Sequence, residues 1–329
     1  MLSFDSPAQL NKRKGIAVIP TRSIAIGFAL LITVTSTAQE TAKKRQRNYP
    51  PQMKGCEVEI YKTVDDTKLN IYIFKPAKHE GNESRTAIVF FFGGGWNGGT
   101  PQQFEQHCRY FASRGMIAMT ADYRVLSRNG TKADACVMDG KSAIRWVRTN
   151  ARKLGVDPDR IVAGGGSAGG HVAACTATID GMAQPGEDTL VSSKPNGLAL
   201  FNPATVIAPI PGIQLMDADK LASIRQRTGV EPEKLSPFHQ LKKGLPPTIL
   251  FHGTADKTVP FKTAELFIEK AKANGDPAQL ASYEGQGHGF FNFGRKDNEY
   301  YLKTVKQLDE FLVAYGLLEG PSPDEVAVQ

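Results

Sequence analysis

The sequence predicts an α/β fold, a mostly parallel central sheet with helices on both faces. Three observations carry that expectation. From Thr86 onward, short apolar runs alternate with helix-like segments, a rhythm that calls for parallel strands joined by right-handed crossovers. The runs are apolar throughout rather than at every second residue, as in strands covered on both faces. The stretch "IVAGGGSAGGHVAA" (161–174) sets a lone serine among five glycines between one such run and a helix-like segment. Glycine has the most backbone freedom to lose on folding, so this density implies a bent backbone where side chains do not fit.

Taken in order, residues 1–38 read as a secretory signal. Lys12, Arg13, Lys14 and Arg22 precede an eleven-residue apolar run, Ile24 to Val34, and Ser36-Thr37-Ala38 offers small residues for cleavage. The run falls short of the roughly 20 residues that a membrane-spanning helix needs, so a stable membrane anchor is not expected. Secretion or a periplasmic location is. Residues 39–56, polar and containing Pro50-Pro51, form an N-terminal arm, followed by a main domain over 57–318 and a tail over 319–329. "EVEIYKTV" (57–64) and "LNIYIF" (69–74) pair around an Asp65-Asp66 turn. Buried strands follow at "TAIVFFF" (86–92), "MIAMTADY" (116–123), "RIVAGG" (160–165), "GLALF" (197–201), "PTILFH" (247–252) and "QLASYE" (279–284). Helices are expected over 101–115 and 134–155, from about Ala168, over 262–275 and over about 298–316. Residues 202–245 break the rhythm. They are proline-rich with one weak helix signal, "DADKLASIRQRTG", and a connection this long points to a lid or pocket insertion before the strand that leads to Asp256.

Charge and cysteines exclude several classes. The chain carries a formal +7, and loss of residues 1–38 removes a net three positive charges, leaving +4. With no basic run beyond Lys43-Lys44-Arg45, a nucleic-acid partner has no support. Cys56, Cys108, Cys136 and Cys175 have no metal-ligand spacing; buried free thiols or a structural bridge are the readings open, and four cysteines allow three full pairings. No metal or cofactor is implied.

The chemistry centres on Ser167. Gly165-x-Ser167-x-Gly169 is a G-x-S-x-G pattern in its required strand–turn–helix context, where a sharp turn exposes the hydroxyl at the C-terminal end of the sheet. A phosphate loop fits less well, since the Lys-Ser/Thr of a P-loop and a G-x-G-x-x-G with a following acid are missing. A serine hydroxyl becomes a good nucleophile only when a histidine, itself held by a carboxylate, takes its proton. Of six histidines, His79 and His107 precede the serine, His171 lies inside the following helix, His239 is in the insertion and His252 ends an apolar strand. His288 lies in a glycine-rich loop, "YEGQGHGFFNFG", after the last strand, and Asp256 follows the strand before it. Both loops leave the edge that carries Ser167. Asp297 comes after His288 and fits the order Ser, acid, His poorly. We therefore assign Ser167 as nucleophile, His288 as base and then acid, and Asp256 as the group orienting the imidazole. Activity should then rise with pH as His288 loses its proton. The developing oxyanion needs donors, for which the N–H groups of Ala168 and of Gly94 and Gly95 in "FFFGGGWNGG" (90–99) are placed.

In this order, "GGGW" (93–96), "DYR" (122–124), "GGSAGGH" (165–171), "PPTILFHGTADKTVP" (246–260) and "GQGHGF" (285–290) resemble the α/β-hydrolase superfamily over most of residues 57–316. The branch they look like is that of secreted esterases with an HGGGW oxyanion loop, hormone-sensitive-lipase-like and bacterial acetylxylan or feruloyl esterase-like proteins. The histidine usual before the three glycines is Phe92 here, so an apolar packing contact is expected to brace the loop. The resemblance implies Trp96, Asn97, Phe201, Asn202, Phe290 and Asn292 near the pocket mouth, where aromatic faces and amides suit a sugar-linked or small aromatic ester. It implies a serine esterase acting on a small-molecule or polysaccharide ester, with short acyl groups such as acetyl. A serine peptidase of the same fold is the alternative, although such enzymes usually add a propeller for which there are too few residues. A lipase would want a broader apolar lid than 202–245 supplies. The intact Ser167, Asp256 and His288 argue against a non-catalytic binding protein.

Overall fold

A computed structural model describes residues 49–77, 79 and 83–324. The expected signal segment, residues 39–48 of the arm and the last five residues of the tail lie outside the described residues. A compact unit begins at Pro51.

Its centre is an eight-stranded sheet in the order β1-β2-β4-β3-β5-β6-β7-β8. The strands are β1 (Glu57–Val64), β2 (Thr67–Phe74), β3 (Arg85–Phe91), β4 (Ile117–Ala121), β5 (Val156–Gly166), β6 (Gly197–Phe201), β7 (Thr248–Gly253) and β8 (Ala278–Tyr283). β1 and β2 form an antiparallel hairpin, β2 pairs antiparallel with β4, and every other pairing is parallel. The edge strand β1 leaves Val58 and Ile60 exposed, whereas β4, β6 and β7 are buried at every residue. The apolar runs thus mark the central strands, because a strand covered on both faces has no polar side to display.

The central strands still alternate, but between two apolar layers. On β3, Val89 and Phe91 face a cluster that holds Val137, Ile144, Val172 and Phe267. Ile88 and Phe90 face the other, built around Phe104, Phe111, Val305 and Leu308. The first layer is supplied by α2 (Ala133–Thr149), α3 (Ala168–Thr178) and α5 (Phe261–Ala273), and the second by α1 (Glu105–Ser113) and α6 (Glu299–Ala314). The expected helix over 101–115 opens as a 3-10 turn, Pro101–Phe104, before α1. The helix expected over 134–155 breaks at Asn150, whose side-chain amide donates back to the Trp146 carbonyl, and resumes as a single turn, Ala151–Leu154.

The insertion carries α4 (Ala218–Thr228), capped by Asp217, whose carboxylate accepts the Lys220 N–H at 2.7 Å. Two further turns, Pro232–Leu235 and Pro237–Gln240, follow. Ile224, Leu235, Leu241 and Leu245 join the first apolar layer, so this segment packs as a wall of the domain.

The "DYR" stretch is structural. The fully buried Asp139 carboxylate takes two hydrogen bonds from the Arg124 guanidinium, both at 2.8 Å, and lies 2.7 Å from Lys62 Nζ. Asp139→Ala leaves the buried Arg124 without its carboxylate and Lys62 with only the more distant Glu187, at 3.9 Å, and we expect it to cost about 3–5 kcal/mol of stability, read as a lower urea midpoint at unchanged slope. A midpoint equal to that of the parent would contradict this account.

Candidate active site

The parallel register sets the C-terminal ends of β3, β5 and β6 side by side, pairing Gly165 with both Phe91 and Leu200. The chain then turns sharply into α3. Ser167 stands at the turn with φ 54° and ψ −116°, a left-handed backbone that costs a non-glycine residue on the order of 1–3 kcal/mol. Two flanking glycines are required by space. A Cβ on Gly169 would lie 2.0 Å from the Phe91 carbonyl oxygen, and one on Gly165 2.6 Å from the Gly169 backbone. The positive φ thus falls on the serine itself, and the glycines let the start of the helix lie against β3.

The loops after β7 and β8 bring the two other predicted residues to this point, 89 and 121 positions along the chain from Ser167. His288 Nε2 lies 2.9 Å from Ser167 Oγ, and His288 Nδ1 lies 2.7 Å from Asp256 Oδ2. Asp256 is held from several sides. Its Oδ1 accepts the N–H groups of Thr258 and Val259 at 2.8 and 3.0 Å, and its Oδ2 accepts the Asn202 amide at 2.8 Å. His252 Nε2 donates to the Val259 carbonyl at 3.0 Å and lies 3.4 Å from the same Oδ2. Burial by itself raises the Asp256 carboxyl, but hydrogen bonds from His252, His288 and Val259 outweigh it and hold the group well below the usual carboxylate range. Asp256 therefore stays ionised, and the His288 Nδ1 proton stays on its side of the ring. That leaves Nε2 free to accept a proton from Ser167 Oγ.

A cleft opens at Ser167, bordered by Gly95, Trp96, Ala168, Met216, Ile224 and Val259 among others. No backbone acceptor is found among the described residues for the N–H groups of Gly94 and Gly95. Gly95 borders the cleft; Gly94, with φ 132°, has its Cβ position blocked by the Gly98 carbonyl at 2.2 Å and is not part of the lining. Trp96 is a buried wall. Its indole N–H donates to His171 Nδ1 at 3.2 Å, and His171 Nε2 donates to the Leu235 carbonyl at 2.7 Å, tying the glycine-rich 93–99 loop to the insertion. Burial pushes His171 down to about 4, against the raising effect of its bond to the Leu235 carbonyl, and the ring stays neutral. Phe92 stacks on Tyr123 with ring centres 4.1 Å apart, and the Tyr123 hydroxyl donates to the Phe92 carbonyl. Stacking and a backbone bond thus brace the loop where the resemblance would place a histidine.

Five of the six expected pocket-mouth residues need correction, Trp96 alone lining the cleft. Phe201 lies in the core, stacked on Phe251 at 4.8 Å, because its β6 position points into the aromatic layer. Phe290 packs against Tyr283 at 4.8 Å in the same layer. Asn97 is exposed in the loop and is not among the residues lining the cleft. Asn202 supports Asp256 and, being fully buried behind it, does not line the cleft. Asn292 is likewise a support. Its Oδ1 accepts the Gln103 amide at 2.8 Å, while Gln103 Oε1 accepts the Gly93 N–H at 2.6 Å. One glutamine thus joins the glycine-rich 93–99 loop to the loop of His288, a role that sequence reasoning missed because its partners lie 10 and 189 residues away. Gln103→Leu would remove the partner of the Gly93 N–H and of Asn292 Oδ1, leaving Asn292 tied only within its own loop, to Gly289. We expect kcat to fall by about ten- to a hundredfold with little change in KM, since displacement of catalytic donors by about 1 Å costs rate before binding. Unchanged kcat would show that the loops hold without it. His252 was also passed over, read as the end of an apolar strand.

Among the described residues no group of three or more His, Cys, Asp or Glu is placed to hold a metal ion, and no helix is long and apolar enough to cross a membrane. The four cysteines are unpaired.

A sequence model of the BD-FAE family matches residues 69–271. Among solved structures, the chain is similar to esterase 2 of the planctomycete Thermogutta terrifontis. Identity is 53% to its propionate-bound form and 52% to its butyrate-bound form, each match covering 83% of this chain and 99% of that one with a TM-score of 0.79. Among curated proteins, isoprenylcysteine alpha-carbonyl methylesterase ICME of Arabidopsis thaliana is 28% identical over 70% of this chain and 55% of its own length. Carboxylesterase NlhH of Mycobacterium tuberculosis is 27% identical over 77% of this chain and 81% of its own. The chain spans about half the length of the first curated relatives it matches.

Proposed function

This chain belongs to the BD-FAE family, and from that premise we propose that it is a serine carboxylic-ester hydrolase working on short acyl esters through Ser167, His288 and Asp256. The observation that carries the reading is the continuous hydrogen-bonded line from Ser167 Oγ through His288 to Asp256, at 2.9 and 2.7 Å, opening on a cleft beside Gly95 and Ala168. Ser167 Oγ attacks the ester carbonyl carbon while His288 Nε2 takes its proton. The carbonyl oxygen becomes an oxyanion facing the N–H groups of Ala168 and of the 94–95 loop. His288 then gives its proton to the leaving alcohol, and an acyl-Ser167 ester remains. Water, deprotonated by the same nitrogen, attacks that ester and releases the acid. Asp256 stays ionised throughout and stabilises the imidazolium.

The short-acyl reading is supported by the propionate-bound and butyrate-bound forms of the Thermogutta terrifontis esterase. For the natural substrate we propose acetyl-type esters of carbohydrate, met outside the cytoplasm, where the segment 1–38 would send the protein. Hydrolysis of p-nitrophenyl esters from acetyl to octanoyl, followed by acetate release from acetylated xylan, tests both parts. The expected profile peaks at acetyl to butyryl. A maximum at octanoyl would overturn the short-acyl reading, and acetylated xylan left intact by an otherwise active enzyme would overturn the carbohydrate one.

A further inference from the structure

One face of α4 borders the cleft at Ser167 with Lys220, Ile224 and Arg227, spaced i, i+4 and i+7. The floor beneath is apolar, with Val206, Ile207 and Val259. The two cations stand out there. Lys220 Nζ donates to the Thr258 carbonyl at 3.3 Å, and Arg227 Nη1 donates to the Gly95 carbonyl at 3.3 Å with its guanidinium over the Trp96 ring at 5.5 Å. Among the described residues neither has a carboxylate within the 4.0 Å of an ion pair. Arg225 on the same helix, by contrast, reaches Glu231 at 3.8 Å. Two cations without counter-ions on one cleft wall can be matched by an anion in the substrate.

The side of the scissile bond follows from the proton path. The alcohol leaves with a proton from His288 Nε2, so it departs on the His288 side. The cleft that holds Lys220 and Arg227 is lined by Gly95, Ser167 and Ala168, and His288 is not among its lining residues. It therefore receives the acyl group. Seven helical residues separate the two cations by roughly 10 Å along α4, a span that brackets a short acyl chain.

We propose that, among acyl chains longer than acetyl, the pocket favours half-esters of short dicarboxylic acids over neutral chains of the same shape, the free carboxylate pairing with Lys220 and Arg227 while the methylene chain lies on the apolar floor. The proposal rests on the esterase reading of the same site. It makes these two side chains determinants of specificity, read as a ratio of two substrates so that any shared loss through the Arg227 contact with Gly95 cancels.

The test compares monoethyl succinate with ethyl 4-methylpentanoate, a neutral ester of nearly the same shape, followed by acid release in a pH-stat. The readout is the ratio of their kcat/KM values. The parent should give a ratio of one or more, falling in 0.5 M NaCl as charge attraction is screened. Lys220→Met with Arg227→Met should lower the ratio at least tenfold, and Lys220→Arg should keep it within about threefold of the parent. A parent ratio below one-tenth, or a ratio unmoved by the double substitution, overturns the proposal and leaves the esterase reading standing. No hydrolysis of either ester by the parent, with the chain folded, overturns both.

Discussion

Ser167→Ala is expected to lower kcat on p-nitrophenyl acetate by on the order of 10^6-fold, since loss of the nucleophile in a serine hydrolase removes the acyl-enzyme route altogether. Alanine adds no volume in the cleft and keeps the neighbouring backbone donors. It also relieves nothing of the strained turn, because φ 54° remains unfavourable for any residue with a Cβ. The folded population should therefore be nearly unchanged. A sulfonyl fluoride gives an independent reading: Oγ displaces fluoride from sulfur, so the parent should gain the sulfonyl mass once and the variant should not. Labelling of the variant to the same extent would place the nucleophile elsewhere.

The second large effect is expected at Asp256. Its two oxygens accept four close hydrogen bonds, from Thr258, Val259, Asn202 and His288, between 2.7 and 3.0 Å. Asp256→Asn keeps the shape and replaces one acceptor by a donor. With Oδ1 still taking the two backbone N–H groups, the new amide nitrogen faces the Asn202 amide and His288 Nδ1. The imidazole answers by moving its proton to Nε2, where it can no longer accept from Ser167 Oγ. We expect kcat to drop by on the order of 10^4-fold with KM much less affected. Unchanged circular dichroism would separate this chemical loss from unfolding. A variant retaining a tenth of parental kcat would show that another group orients His288, and His252, 3.4 Å from Asp256 Oδ2, would be the first to examine.

Raising the pH should not rescue the asparagine variant, since its defect is the position of the proton. In the parent, Asp256 is held well below the usual carboxylate range, so mild acidification leaves its charge in place. A parent rate independent of pH from 5 to 9 would count against His288 as the base.

Local chemistry is what the chain makes legible. The apolar runs marked each central strand to within four residues, because burial on both faces leaves no polar alternation. The glycines around Ser167 announced a close approach that any Cβ would block, and 2.0 Å at Gly169 is that approach. The order of Ser167, Asp256 and His288 could be read because each follows a strand, and parallel strands deliver their C-terminal loops to one edge. What the chain alone could not decide were the relations between segments distant in sequence. The place of β4 between β2 and β3, the bridge of Gln103 to Asn292, and the turn of Phe201 and Phe290 into the aromatic layer depend on register and packing. A single residue's type does not carry that information. An aromatic ring or an amide serves a pocket, a core or a support equally well, and only the neighbours that the tertiary fold brings within about 4 Å select among them.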